Sequence, residues 1–176
     1  MLSEADRAAL LRLARETIAA HLTGGAPPAR PTLADPHAHA GAFVTLTVRG
    51  DLRGCIGYPG ATTPLDDVVA QCAIAAATED PRFPPVDAGE LSHLEVEISV
   101  LTPIEPVADV SEIEVGRDGL VAQDGFRRGL LLPQVATEHH WDRETFLAHT
   151  CLKAGLRPDA WRTGAKMFRF RAEVFS

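Results

Sequence analysis

Residues 94–100, near the middle of the chain, alternate apolar side chains with acidic or hydroxyl side chains without interruption. A period of two is typical of a β-strand that buries one face and leaves the other face polar. This segment therefore predicts a central antiparallel strand over Leu94–Leu101. The side chains that we expect in the core are Leu94, Val96, Ile98 and Val100.

The rest of the chain predicts further strands with helices around them. Two alternating runs at 42–48 and 52–58 are joined by a tight turn and indicate a hairpin. Turn residues predict a second hairpin over 120–132, and a last strand is predicted at 166–175. Helices are predicted over residues 3–22, from Pro64 to Ala76, from Pro133, and from Asp142 to Ala154.

The order of these elements predicts the fold class. Many connections between strands are short, which favours antiparallel pairing. We therefore predict an α+β fold, with a largely antiparallel sheet flanked by helices. A hairpin followed by a helix occurs twice, which raises an internal duplication as a hypothesis.

The charge of the chain limits its partners. Its 176 residues include 17 Lys and Arg and 24 Asp and Glu, for a formal net charge of −7. A general polyanion-binding role is therefore excluded. Residues 79–124 carry a net charge of −10 and residues 151–176 a net charge of +4. We interpret these regions as solvated faces of opposite sign; the alternative is a basic surface for an anionic ligand near the C-terminus.

The sequence also bears on location. No apolar run approaches the roughly 18 residues that a membrane span needs. The first residues lack the apolar core of a signal peptide. We expect a cytoplasmic protein with no membrane partner.

The cysteines and histidines show no spacing of a known metal site. Neither a disulfide framework nor a zinc pattern is formed by Cys55, Cys72 and Cys151. No known ligand spacing is completed by His37, His39, His139 and His140. No metal site is predicted, and the sequence names neither a cofactor nor an oligomeric state.

The segment Leu52–Gly60 contains the best candidate for chemistry. Three glycines in a strand and its exit cost stability, which indicates a bulge or a close approach by a backbone or a ligand. By the period of two, Arg53, Cys55 and Gly57 share one face. A guanidinium beside a thiol favours the thiolate, and Gly57 would leave room above the sulfur. Cys55 is thus a candidate nucleophile or redox thiol, with Arg53 as stabiliser of the thiolate or an anion; the alternative is a buried structural cysteine.

A second constellation follows Pro133. Gln134, Glu138 and Trp141 stand at i, i+4 and i+7, so they share one face if the segment is helical throughout. The free N–H groups of the first helical turn could face an anion. Together these residues predict a pocket wall; the alternative is a solvated Glu138 and a core Trp141.

Several sequence blocks, in order, resemble those of the AMMECR domain family. The blocks are Leu52–Gly57 (LRGCIG), Asp80–Val86 (DPRFPPV), Glu97–Pro103 (EISVLTP), Gly129–Ala136 (GLLLPQVA) and Lys153–Leu156 (KAGL). The resemblance covers residues 41–175. It implies that residues 1–176 form a single AMMECR-like domain, with an N-terminal helix and wrapping loop over 1–40 and the family core over 41–176. The implied fold is α+β, with two unequal lobes around an antiparallel sheet.

The resemblance also implies partners and site residues. The AmmeMemoRadiSam set links prokaryotic family members to a Memo-type protein and a radical SAM protein. Cys55 and Arg53 match the RGCIG signature, Arg82 matches the DPRFPP block and Gln134 matches LLPQVA.

Two classes of function stay open at this point. The first is a component of that protein system with a pocket centred on LRGCIG and near the helix at Pro133. The second is a non-catalytic module that binds a nucleotide, RNA or peptide, with Arg82 and the C-terminal Arg169 and Arg171 as anion contacts. Residues predicted to line the pocket, besides Cys55 and Arg53, are Gly54, Gly57, Arg82, Gln134, Glu138 and Trp141.

Overall fold

The computed structural model describes residues 2–34, 40–60 and 63–176, and the chain divides into two compact units. Unit 1 comprises Met1–Leu101 with Glu173–Ser176, and unit 2 comprises Thr102–Ala172. The strands are β1 (Ala42–Val48), β2 (Asp51–Tyr58), β3 (Leu94–Leu101), β4 (Glu105–Pro106), β5 (Asp118–Asp124), β6 (Arg127–Leu131) and β7 (Lys166–Phe175). The α-helices are α1 (Glu4–Thr23), α2 (Leu65–Thr78), α3 (Pro133–Glu138), α4 (Arg143–Lys153) and α5 (Ala160–Thr163).

Unit 1 is built on an antiparallel sheet in which β1 lies between β2 and β3. Val44 of β1 faces Ile98 of β3, and both side chains are fully buried. The apolar face of this sheet contacts α1 and α2, whose apolar side chains belong to the same core. The strand predicted at Leu94–Leu101 is therefore confirmed, with Val96, Ile98 and Val100 in the core.

The first helix shows how local sequence sets an element's limits. Ser3 precedes α1, and its hydroxyl accepts a hydrogen bond from the Asp6 N–H, which satisfies one of the free donors of the first turn. Gly24 follows the helix with φ at 69°, a left-handed conformation that glycine adopts without steric cost. The helix predicted over 3–22 therefore begins and ends within two residues of its expected bounds.

Unit 2 is built on antiparallel strands, in which β5 lies between β6 and β7, and β4 also pairs with β7. Helix α4 lies against β5 and β6. It is capped by Asp142, whose carboxylate accepts the Thr145 N–H, as the sequence predicts. The core between helix and sheet includes Leu120, Ala122, Phe146, Leu147 and Cys151.

These observations confirm the α+β class with its antiparallel pairing, flanking helices and two unequal lobes. An internal duplication stays a hypothesis. In the part of the chain that the structure describes, no helix is both long and apolar enough to span a membrane. His37 and His39 lie outside the described residues.

Candidate functional site

A β-bulge shapes the hairpin that carries Cys55. Leu46 of β1 faces Gly54, whereas the next residue, Thr47, faces Leu52. Arg53 is therefore the extra residue on β2, and the strict period of two is interrupted at this position. Across the bulge, alternation does not place Arg53 and Cys55 on one face of β2.

Arg53 binds a carboxylate and two backbone carbonyls. Its Nε and Nη2 lie 2.8 and 3.0 Å from the two carboxylate oxygens of Glu90. Its Nη1 and Nη2 donate to the carbonyls of Pro84 and Pro85 at 2.8 and 3.2 Å. Each guanidinium nitrogen thus has a partner, and the ion pair holds the pKa of Glu90 below its usual value. Arg53 as a stabiliser of the Cys55 thiolate stays a prediction.

Cys55 is the half-buried cysteine of the chain, whereas Cys72 and Cys151 are fully buried. Its sulfur accepts a hydrogen bond from the hydroxyl of Thr45, the residue that faces it on β1, at 3.3 Å. Its N–H donates to Oδ2 of Asp80 at 2.9 Å. Both the side chain and the backbone of Cys55 are therefore held by named partners.

Asp80 fixes Arg82 beside Cys55. The Asp80 side chain is 2% exposed, and it accepts both Nε and Nη2 of Arg82, at 3.0 and 2.7 Å. The Arg82 N–H also donates to the same carboxylate at 3.1 Å. These hydrogen bonds, led by those from Arg82, outweigh burial and hold the pKa of Asp80 well below its usual range.

The Arg82 guanidinium is held on one side and open on the other. Its Nη2 lies 3.4 Å from the carbonyl oxygen of Cys55, and its side chain is 55% exposed. Its Nη1 has no hydrogen-bond partner among the described residues. The arrangement presents a fixed cation next to a half-buried thiol, which suits recognition of an anionic group.

The two glycines of the motif have packing roles. A side chain at Gly54 would overlap the carbonyl of Ala76, so Gly54 lets α2 approach β2 closely. A side chain at Gly57 would overlap the ring of Phe43, which fills the space above this position. The space that the missing side chain of Gly57 leaves is therefore occupied by an aromatic ring. A role of either glycine in binding a ligand stays a prediction.

The structure separates Trp141 from the helix that follows Pro133. Helix α3 ends at Glu138, and His140 has a positive φ of 53°, so Gln134, Glu138 and Trp141 do not share one continuous helix face. Gln134 is half-buried and Glu138 is exposed. Trp141 is stacked between His139 and His149, with ring centroids 4.8 and 4.0 Å apart.

These three residues belong to unit 2, whereas Cys55, Arg53 and Arg82 belong to unit 1. Their joint membership in one pocket stays a prediction.

Sequence reasoning missed three residues that position the site: Asp80, Glu90 and Thr45. Asp80 stands at the start of the DPRFPP block, and a carboxylate two residues before an arginine was the available signal. Thr45 could be found by pairing the two predicted strands across their turn. Glu90 could not be found in this way, because it lies in the short 3₁₀-helix Ala88–His93.

The fold and the RGCIG hairpin define an α+β protein with a cysteine whose backbone is fixed by a buried aspartate that also pairs with an exposed arginine. The sequence profile of the AMMECR1 family matches residues 11–175, so the chain belongs to the AMMECR1 family. A protein of Methanothermobacter thermautotrophicus is 49% identical over 183 residues, which cover 99% of this chain and 95% of that protein. A protein of Thermofilum pendens is 47% identical, and the match covers 99% of this chain and 91% of that protein.

A solved structure shows the same fold. The crystal structure of uncharacterized protein PH0010 from Pyrococcus horikoshii has a TM-score of 0.87 and 42% sequence identity to this chain. The match covers 98% of this chain and 92% of that chain. The similarity therefore extends through both units.

Proposed function

We propose that Cys55 is a reactive thiol that acts on a substrate or partner bearing an anionic group, and that Arg82 is the cation that recognises this group. The observation that carries the proposal is the Asp80 carboxylate, which binds the backbone of Cys55 and the side chain of Arg82 at the same time. One buried group thus holds the backbone of Cys55 and the guanidinium of Arg82 together. Arg53 and Glu90 brace the bulge beside them.

The chemistry needs little beyond these groups. As nucleophile, the Cys55 sulfur forms a bond to an electrophilic carbon, the leaving group departs with the electron pair of the broken bond, and the thiol proton passes to water. The half-exposed position of Cys55 allows this transfer to solvent. Arg82 offers its free Nη1 to the anionic group, while Asp80 remains ionised because its pKa is held low.

The cellular role extends the proposal. Membership in the AMMECR1 family supports a component of a cytoplasmic system with a Memo-type and a radical SAM protein. Co-purification of the tagged chain with either protein from its own organism tests this part. Absence of both from the purified material would contradict it without affecting the cysteine chemistry.

The cysteine proposal is tested by alkylation near neutral pH with two reagents, neutral iodoacetamide and anionic iodoacetate. In both cases the sulfur displaces iodide and forms a C–S bond. Cys55 should be labelled, whereas Cys72 and Cys151 serve as internal controls because they are fully buried. Burial also raises the pKa of Cys72 to about 12. Cys55→Ser should abolish labelling and shift the melting temperature by only a few degrees.

The role of Arg82 is measured by the ratio of the two alkylation rates at Cys55. Arg82→Gln should lower the iodoacetate rate several-fold relative to the iodoacetamide rate, because the cation that attracts the carboxylate is gone. Arg30→Gln is the matched control, since Arg30 is an exposed arginine of unit 1 that pairs with Asp67. An unlabelled Cys55, or a Cys55→Ser variant that mainly destabilises the fold, would show that the cysteine is structural.

A further inference from the structure

Strand β7 borders a charged cavity, and every described residue of its lining belongs to unit 2. The cavity has a volume of about 250 Å³, and its lining includes Thr102, Glu105, Asp118, Arg169 and Arg171. No described residue of this lining takes part in the cysteine chemistry proposed above, so a role of the cavity does not depend on that chemistry.

The pairing of β4, β7 and β5 places acidic side chains opposite basic side chains on one side of the sheet. Arg169 and Arg171 are two residues apart on β7, so their side chains share a face. Glu105 of β4 faces Arg169, and Asp118 of β5 faces Arg171. The cavity therefore presents two guanidinium groups, each with a carboxylate on a neighbouring strand.

Asp118 is already saturated by protein groups. Its side chain is 1% exposed, and its oxygens accept Nε and Nη2 of Arg117 at 3.0 and 2.8 Å and the Glu114 N–H at 2.9 Å. Burial alone would raise the pKa of Asp118, but the hydrogen bonds from Arg117 and Glu114 hold it below the usual value. Asp118 is thus a fixed anion of the cavity wall.

The two arginines of β7 keep donors for a ligand. Arg171 approaches Asp118 with Nε at 3.5 Å, its side chain is 59% exposed, and its terminal nitrogens have no partner among the described residues. Among the described residues, the Arg169 side chain reaches only Glu112, through Nη1 at 3.4 to 3.5 Å. Guanidinium groups with free N–H donors on one face suit a planar carboxylate.

Glu105 supplies the opposite charge. Its side chain is exposed, and within the described part of the chain it has neither a hydrogen bond nor an ion pair. A dianion such as phosphate would gain from the arginines but would be repelled by this carboxylate. A ligand with both a carboxylate and an ammonium group would satisfy both sides of the cavity.

The size of the cavity favours a small ligand. A volume of about 250 Å³ lies below the roughly 300–1,000 Å³ of sites for drug-sized ligands. We propose that this cavity binds a free α-amino acid, with its carboxylate on Arg169 and Arg171 and its ammonium group on Glu105.

The proposal is tested by isothermal titration of the full chain with glycine, L-alanine and L-leucine. For any amino acid that binds, the N-acetyl derivative and the methyl ester are titrated as well. We expect saturable binding of at least one amino acid and a loss of at least tenfold in affinity when either end is blocked. This arm uses the unmodified chain, so it does not depend on the folding of a variant.

Two variants identify the groups that bind. Arg171→Gln should weaken binding of the free amino acid at least tenfold. Glu105→Gln should remove the preference for the free amine over the N-acetyl derivative. Arg157→Gln is the matched control, because Arg157 is an exposed arginine of the same unit that pairs with Asp159, and it should leave affinity unchanged.

Several results would overturn the proposal. No saturable binding of the three amino acids up to about 10 mM would do so, as would equal affinity for blocked and free ligands. Binding of inorganic phosphate or of AMP in preference to the amino acids would assign the cavity to an anion instead. Alkylation of Cys55 is measured separately, so the two proposals can fail independently.

Discussion

The two units use the same arrangement of strands and differ in how they use their buried charges. In unit 1, the first hairpin strand β1 is flanked by β2 and β3; in unit 2, the first hairpin strand β5 is flanked by β6 and β7. A helix that follows each hairpin, α2 or α4, packs on its two strands. This shared order agrees with the hypothesis of a duplication without establishing common descent.

Glycines serve the same two purposes in both sheets. Gly54 in unit 1 and Gly129 in unit 2 let the helix backbone approach the strand, at Ala76 and at Ala154. Two further glycines lie beneath aromatic rings: Gly57 beneath Phe43, and Gly119 beneath Phe170. The repeated use of glycine is therefore a packing device of this fold and is not confined to the cysteine motif.

The two units differ in how their buried aspartates bind arginines. Asp80 binds the arginine that we propose as the anion contact, Arg82, through two nitrogens, and the Arg82 Nη1 has no hydrogen-bond partner within the described part of the chain. Asp118 is bound by Arg117 instead, and its contact with Arg171 is long. A buried carboxylate thus positions a cation, and the N–H donors of the cation that the carboxylate does not bind determine which ligand the cation can take.

The largest expected effect is the loss of the folded state in Ile98→Asp. Ile98 is fully buried on β3, and an unpaired charge at this position should cost more than about 4 kcal/mol. Circular dichroism and urea unfolding should find no cooperative transition. Glu95→Gln, on the exposed face of the same strand, should melt like the original chain. A soluble Ile98→Asp protein with unchanged melting would refute the assignment of the buried face.

The variants Gly54→Val and Gly129→Val test whether both units need a glycine where a helix packs on a strand. Each added side chain would overlap helix backbone, which cannot move without displacing α2 or α4. We expect each variant to lose about 3 kcal/mol of unfolding free energy in urea. Gly60→Ala is the control, because among the described residues no heavy atom outside Gly60 and its chain neighbours lies within 4 Å of the added carbon. If only one unit is sensitive, the packing device is not shared.

The buried carboxylates predict an acid-sensitive stability. Because the pKa of Asp80 is lower in the folded chain than its ordinary value of about 3.9, its stabilisation is fully present above pH 4 and is lost as the pH falls further. Asp80→Asn should cost about 2 kcal/mol at pH 7, because the exposed Arg82 can be hydrated. The free energy of unfolding of this variant should also fall less between pH 4 and 3 than that of the original chain.

The same urea series applied to Asp118→Asn compares the two units directly, since the pKa of Asp118 is shifted in the same direction. Asp51→Asn, at the exposed start of β2, serves as the control for removal of an acidic charge. An Asp80→Asn curve that stays parallel to that of the original chain below pH 4 would contradict the assigned pKa direction.

The smallest expected effect is that of Phe126→Ala on the free energy of unfolding, compared with that of Phe43→Ala. Phe126, at the tip of the β5–β6 hairpin, is fully exposed, so Phe126→Ala should change the unfolding free energy by less than about 0.5 kcal/mol. Phe43→Ala should cost about 2 kcal/mol, because it uncovers Gly57. Equal costs in urea unfolding would mean that Phe43 does not protect the hairpin.

Local sequence was sufficient for most elements because periodicity and capping act over a few residues. The alternation at Leu94–Leu101 predicted β3 and its buried face, and Asp142 predicted the start of α4. The helix at Pro133 was found, but its end at Glu138 was missed, because the turn at His140 rests on a backbone conformation that no residue type in the segment demands.

The class of fold, the antiparallel hairpins and the cysteine motif could be read from the sequence, since they follow from side-chain periodicity, turn residues and family resemblance. The partners of each charge are set by tertiary packing. Packing paired Arg53 with Glu90 and Arg82 with Asp80, and among the described residues it left the terminal nitrogens of Arg171 without a partner. A hydrogen bond depends on distances of about 3 Å between atoms, and the atoms of Arg53 and Glu90 are brought together only when a distant 3₁₀-helix packs beside the bulge.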